Sequence, residues 1–246
     1  MGELKMGAKS RGRGQKILTA AVTSLLLAVA FAVGHGEAVY VNGDSVAVKP
    51  DRYRVVLDAG HGGADPGKIG INGVPEKEVN LQITMLVKQY LEAQDIEVIL
   101  TRKTDDGLYD EDASNKKVQD MKRRIDTIEE ADPVITVSIH QNSYPEEYVR
   151  GAQVFYYSNS VQGQKLAQYV QDSLVERVDP QNRRLIKPND SYYLLKKAPT
   201  PIIIVECGFL SNSDEAEKLC DPDYQKRLAW AIHMGILQYL NQCLNQ

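Results

Sequence analysis

Tyr53-Arg54-Val55-Val56-Leu57-Asp58-Ala59-Gly60-His61-Gly62-Gly63 is the stretch that decides the fold class. A short apolar run rich in β-branched residues, broken by closely spaced glycines, reads as a buried strand feeding a turn. Residues 78–93 follow with Val79, Ile83, Leu86, Val87, Tyr90 and Leu91 at helical spacing. Ile96-Glu97-Val98-Ile99-Leu100 is a second strand, and 119–131 carries Met121, Ile125 and Ile128 on one helical face until Asp132-Pro133 stops it. Val134 to Ile139 is a third, wholly apolar strand apart from Thr136 and Ser138. Gly151 to Tyr157 alternates through Ala152, Val154 and Tyr156, which points to a strand nearer an edge. A helix over 161–177, a strand over 201–205 and a helix over 222–241 complete the pattern. Strands alternating with helices imply an α/β fold. It is expected to be a single domain, with a mainly parallel twisted sheet of about five or six strands and helices on both faces.

Working outward, the 246 residues are 43% apolar and 25% charged, values of a folded chain rather than a disordered or polytopic membrane one. The net charge of −4, with no basic run beyond the N-terminus, argues against a nucleic-acid partner. The three cysteines, Cys207, Cys220 and Cys243, show neither zinc-finger spacing nor an even count for a disulfide framework. Lys5, Lys9, Arg11, Arg13 and Lys16 precede a chargeless stretch over 17–33. That is the layout of a secretory signal, with an uncleaved membrane anchor as the competing reading. Residues 1–38 are therefore assigned to a signal peptide or anchor, 39–52 to a linker and 53–242 to a catalytic domain. The expected location is outside the cytoplasmic membrane, with any membrane contact made by the N-terminal segment alone. Two polar stretches, 103–118 and 179–192, read as loops. The first is taken as solvated surface, and the second carries Tyr192 and Tyr193 toward a cleft.

In an open parallel sheet, ligands bind beyond the carboxyl ends of the strands. Of the four histidines, His35 lies in the leader and His233 on the last helix, while His61 and His140 each follow a buried strand. Glu206 closes another strand. Two imidazoles and one carboxylate are a common ligand set for catalytic zinc. Glu76 and Glu78, both in the stretch after His61, compete for the carboxylate position. Glu206 adds a second acid at the same edge. One acid would complete the metal site and the other would move protons. Spacing leaves open which does which.

The set Leu57-Asp58-Ala59-Gly60-His61-Gly62-Gly63-x-Asp65-Pro66-Gly67, Glu76-Lys77-x-x-Asn80-Leu81, Thr101-Arg102, Ser138-Ile139-His140-x-Asn142 and Val205-Glu206-Cys207-Gly208-Phe209-Leu210-Ser211-Asn212 resembles the zinc-dependent N-acetylmuramoyl-L-alanine amidases of the type-3 family, in family order. The resemblance implies that His61, Glu76 and His140 bind Zn²⁺, that Glu76 rather than Glu78 is the ligand, and that Glu206 is catalytic. It further implies hydrolysis of the amide joining N-acetylmuramic acid to L-alanine of peptidoglycan. No wall-binding repeat flanks the motifs, and 103–118 is too short and polar for a site-blocking helical insertion. The compact form is most similar to the spore-cortex, germination-specific amidases. That implies a role in muramic-δ-lactam formation, action in the forespore intermembrane space and an accessory lipoprotein partner. The competing functions are another zinc hydrolase, a peptidase or deacetylase, and a non-catalytic wall-binding module.

Smaller expectations concern single residues. Arg102 is a candidate contact for a substrate carboxylate, with a salt bridge as the alternative. Asn142 is a candidate for the ligand or for a group behind the metal. Asp58 is a candidate to orient a metal histidine. Cys207, next to Glu206 in a strand, should point to the opposite face as a buried thiol. Trp230 is expected in the core rather than as a sugar platform, and His233 in the core or on the helix surface rather than as a ligand.

Overall fold

The computed structural model describes residues 52–244. The leader assigned to 1–38 and nearly all of the linker lie outside the described residues. Six strands form one sheet in the order β2-β1-β3-β6-β4-β5. They are β1 (Arg54–Ala59), β2 (Glu97–Leu100), β3 (Ile135–Asn142), β4 (Gln153–Tyr156), β5 (Lys187–Pro188) and β6 (Ile202–Phe209). The β1–β2, β1–β3, β3–β6 and β4–β5 pairs are parallel, and only β4–β6 is antiparallel. The helices are α1 (Glu76–Glu92), α2 (Lys116–Ala131), α3 (Val161–Arg177), α4 (Tyr193–Lys197), α5 (Ser213–Cys220) and α6 (Pro222–Cys243). Among the described residues no helix is long and apolar enough to cross a membrane.

The period of two along each strand sorts side chains between two unequal layers. Val55, Leu57, Ile135, Val137, Ile139, Ile203, Val205 and Cys207 pack against α1, α3 and α6 in the larger core. Val56, Ile202 and Ile204 face the smaller one, closed by Ile125 and Ile128 of α2 and Leu194 and Leu195 of α4. Each fully buried Leu or Ile contributes roughly 1.5–3 kcal/mol, so the α1/α3/α6 layer holds the sheet firmly. The lighter layer leaves room at the carboxyl ends for polar side chains. Asp58, Ser138, His140 and Glu206 occupy that second face, with Asp58 paired to Ser138 and His140 to Glu206 in register.

Local chemistry explains the element ends. Asn115 caps α2 by accepting from the Val118 N–H, and Asp132 leaves the helix in the left-handed region just before Pro133. Asp221 caps α6 with Pro222 at its first position. β4 lies second from the edge, as expected, and is almost wholly buried because β5 and Arg184 cover it. Two readings from sequence are corrected here. β6 runs on to Phe209, so Glu206 sits inside the strand and not at its end. The helices α4 and α5 escaped notice because they have 5 and 8 residues, too few to show a period. Cys207 is buried on the face opposite Glu206, as expected. Trp230 is about half exposed, against Tyr90, rather than in the core.

Candidate active site

Glu76 opens α1 at its first turn, and its side chain is buried. Its Oε1 accepts from the Gln141 N–H at 3.0 Å and from Asn80 Nδ2 at 3.2 Å. Its Oε2 accepts from the Lys68 N–H at 2.9 Å. The carboxylate thus stands between two rings, 3.0 Å from His140 Nδ1 and 3.2 Å from His61 Nε2. The imidazole centroids are 5.0 Å apart, edge to face. One ligand atom from each of His61, Glu76 and His140 falls within 4.8 Å of the others, a convergence suited to one divalent cation. Glu78 is exposed and outside this group.

Each of these side chains is held by a distinct device. His61 has φ +62°, a left-handed conformation that a non-glycine residue adopts at some expense in strain. Arg124 Nη2 fixes it by donating to the His61 carbonyl at 2.7 Å, and Asp65 Oδ2 sits 3.0 Å from His61 Nδ1. A carboxylate behind a metal-facing imidazole sets its tautomer and orientation. Tyr109 braces the same loop by accepting from the Ala64 N–H at 2.6 Å. His140 lies over Gly60, where a Cβ would come within 2.2 Å of the ring. Asn80 ties the glycine loop to α1 through the Gly60 carbonyl at 3.0 Å.

Burial acts to lower the His61 pKa, but Glu76 and Asp65 overcome it and lift it to about 9. Burial likewise opposes ionisation of Glu76, and its two imidazole partners nonetheless hold it far below the usual carboxylate range. Glu206 is the opposite case. It is 7% exposed, and its Oε2 finds no partner. Burial pushes its carboxyl up to about 7, with the neighbouring imidazoles pulling against burial and Glu76 adding to it. The cleft that gathers His61, Glu76, His140 and Glu206 is about 820 Å³ and is also lined by Tyr109, Lys116, Lys117, Ser191, Tyr192 and Tyr193. The donor set and the orphaned acid beside it fit a hydrolytic cation such as Zn²⁺.

Three of the expected residues take definite places in this geometry. Arg102 makes no ion pair with an acid among the described residues. It is buried and donates to the main-chain oxygens of Ala59 (2.9 Å), Gly60 (3.1 Å), Lys77 (2.8 Å) and Thr104 (2.9 Å), tying together the loops beneath the site. Asp58 touches no metal histidine; it accepts from Arg124 Nη1 (2.5 Å), Ser138 Oγ (2.5 Å) and Thr101 Oγ1 (2.7 Å). It acts on His61 only through Arg124. Asn142 lines the cleft, but its Oδ1 accepts from the adjacent Ser143 N–H at 2.8 Å. The acidic loop is more than solvated surface, since Asp105 pairs with Lys77 at 2.7 Å and Tyr109 reaches the His61 loop. Sequence reading missed Asp65, Asn80, Gln141, Tyr109 and Arg124. A signal existed for Arg124, which falls on the buried stripe of α2 one turn after Asp120.

The Amidase_3 family model, N-acetylmuramoyl-L-alanine amidase, matches residues 55–238. The chain belongs to this family. It is an enzyme, with N-acetylmuramoyl-L-alanine amidase activity on peptidoglycan. The germination-specific N-acetylmuramoyl-L-alanine amidase of Bacillus subtilis (strain 168) is 36% identical over 191 residues, covering 76% of this chain and 80% of that protein. Among solved structures, the CwlD amidase of Clostridioides difficile, in complex with the GerS lipoprotein, is similar with a TM-score of 0.75 and 38% identity, over 77% of this chain and 99% of that one. An N-acetylmuramoyl-L-alanine amidase of Clostridium difficile 630 follows with a TM-score of 0.71 and 31% identity, over 79% and 100% of the two chains. This amidase thus shares its α/β architecture with known members.

Proposed function

We propose that the amidase is zinc-dependent, that His61, Glu76 and His140 are its metal ligands and that Glu206 is its proton-transfer residue. The observation that carries this reading is one cleft holding a convergent His-Glu-His group beside a buried carboxylate whose Oε2 has no partner. When bound, the cation would polarise the scissile carbonyl and acidify an attacking water. Glu206 Oε2 accepts the proton as the water oxygen bonds to the lactyl carbonyl carbon. As the carbon–nitrogen bond breaks, Glu206 returns that proton to the departing amine of L-alanine. A carboxyl poised near 7 does both jobs at neutral pH, because it neither holds nor releases a proton too strongly. Asp65 orients the His61 ring, and Arg124 secures the loop that carries it.

The likeness to a germination-specific amidase supports a role in spore-cortex maturation, where amide removal precedes muramic-δ-lactam formation. The likeness to an amidase solved with a lipoprotein supports a lipoprotein partner here. Both roles need export, and the N-terminal basic-then-apolar segment supplies a leader for it.

Mass spectrometry of muropeptides after incubation with the purified protein tests the chemistry. The expected products are a free lactyl carboxylate and a peptide with an N-terminal alanine, lost on chelation and restored by Zn²⁺. Glu206→Gln should keep zinc and lose at least about 10²-fold in kcat. Turnover unchanged in that variant, or unaffected by a chelator, would overturn the mechanism. A cut within the peptide or released acetate would favour the peptidase or deacetylase reading.

A further inference from the structure

The cleft lining includes Lys68, Lys116 and Lys117 together with the uncharged stretch Ser191-Tyr192-Tyr193-Leu194. Two acids of the lining are already engaged by other groups. Asp65 lies against His61 Nδ1 at 3.0 Å, and Asp120 accepts from Arg124 Nε at 2.6 Å. Lys117 Nζ is 4.0 Å from Asp65 Oδ2, on an otherwise exposed side chain, which sets its ammonium close to the reacting centre. Lys116 Nζ stands 5.1 Å over the Tyr109 ring, whose hydroxyl is fixed to the Ala64 N–H. Both lysines occupy the first turn of α2, which contains no acid. Cations there oppose the helix dipole, and their local partners, Asp65 at 4.0 Å and the Tyr109 ring, are weak ones that leave both ammonium groups open to a ligand.

We propose that Lys116 and Lys117 form a carboxylate subsite on the peptide side of the cleft. They favour stem peptides that carry a free carboxylate one residue downstream of the alanine whose amide is cut. This rests on the amidase reading and deepens it. The peptide is the charged half of the substrate and N-acetylmuramic acid the neutral half. The lysines therefore take the peptide, and the tyrosines take the sugar. The arrangement orients the scissile amide across the metal site in one direction only.

The test uses two synthetic N-acetylmuramoyl tripeptides, identical except that the residue after L-alanine bears a free carboxylate or its amide. The wild-type enzyme should prefer the carboxylate on the order of fivefold in kcat/KM, mostly through KM, as exposed charge pairs allow. Raising salt should shrink that ratio. Lys116→Gln/Lys117→Gln should bring the ratio to about one, whereas Lys165→Gln on α3, outside the cleft, should leave it unchanged. A wild-type ratio of one, a ratio that survives in the double variant, or an equal fall in Lys165→Gln overturns the proposal. The salt dependence reads the subsite without any substitution, should the double variant fold poorly. Cleavage of neither compound by the wild type refutes the amidase reading itself.

Discussion

Replacing Arg124 by methionine removes the hub beneath the His61 loop while nearly preserving side-chain volume. The guanidinium is buried and faces the fully buried Asp58 carboxylate at 2.5 Å and Asp120 at 2.6 Å. It also donates to the carbonyls of Ala59 at 2.9 Å and His61 at 2.7 Å. Its loss leaves Asp58 in the protein interior with only two hydroxyl donors, and breaking a buried pair on one side costs about 3–5 kcal/mol. With a urea slope of roughly 2 kcal/mol/M for a domain of this size, the midpoint should fall by about 2 M. The pH dependence has a definite sign. Burial resists ionisation of Asp58, but Arg124, Ser138 and Thr101 more than offset it and pull the carboxyl to about 2. Its contribution in the wild type is full above the unfolded value near 4 and is lost as pH falls toward 2. Arg124→Met loses that dependence, so the gap between the proteins should narrow in acid. Adding Asp58→Asn to Arg124→Met should recover most of the stability, since no buried charge then lacks its partner. Urea titration of the four proteins in that cycle at neutral pH and at about pH 3, below the unfolded Asp value, with zinc affinity by calorimetry at neutral pH, is the assay. Zinc affinity in Arg124→Met should fall roughly 10–100-fold as His61 loses its anchor. A midpoint shift below about 0.5 M, a double variant no better than the single one, or unchanged zinc affinity would refute the reasoning.

Further outcomes follow from the same packing. Gly60→Ala places a methyl group within 2.2 Å of the His140 ring, so the imidazole must swing away. Zinc binding should weaken by more than about tenfold with circular dichroism little changed, and tight binding in that variant would show that the loop can yield. His233 is buried, and burial lowers its pKa against the opposing pull of the Trp230 backbone. A group whose folded pKa lies below its unfolded value near 6.5 adds stability above that pH, lost as pH falls toward the folded value. His233→Leu should therefore flatten the wild-type loss of melting temperature between about pH 7 and 5. An unaltered slope in that variant would place the titration elsewhere.

Much of this enzyme was legible before folding was considered. Apolar runs at 54–59, 135–139 and 202–205 could only be buried strands, and the alternation with helical periods required a parallel sheet covered on both sides. His61, His140 and Glu206 stood out because polar groups directly after such apolar runs have no packing reason to be there. Local pattern carries that information because strand and helix periods are properties of the chain itself. What sequence could not supply is the set of partners reached across the sheet. Glu76 and Glu78 are two residues apart and chemically alike. Only the start of α1 at Glu76 turns the first inward, onto the Lys68 and Gln141 N–H groups, and the second toward solvent. Asp58 and Arg124, separated by 66 positions, become one buried pair. Arg102 turns out to hold together the loops of Ala59, Gly60, Lys77 and Thr104. Such pairings depend on which side chains the closed layers exclude from water, a condition met only once β1, β3 and α2 have packed.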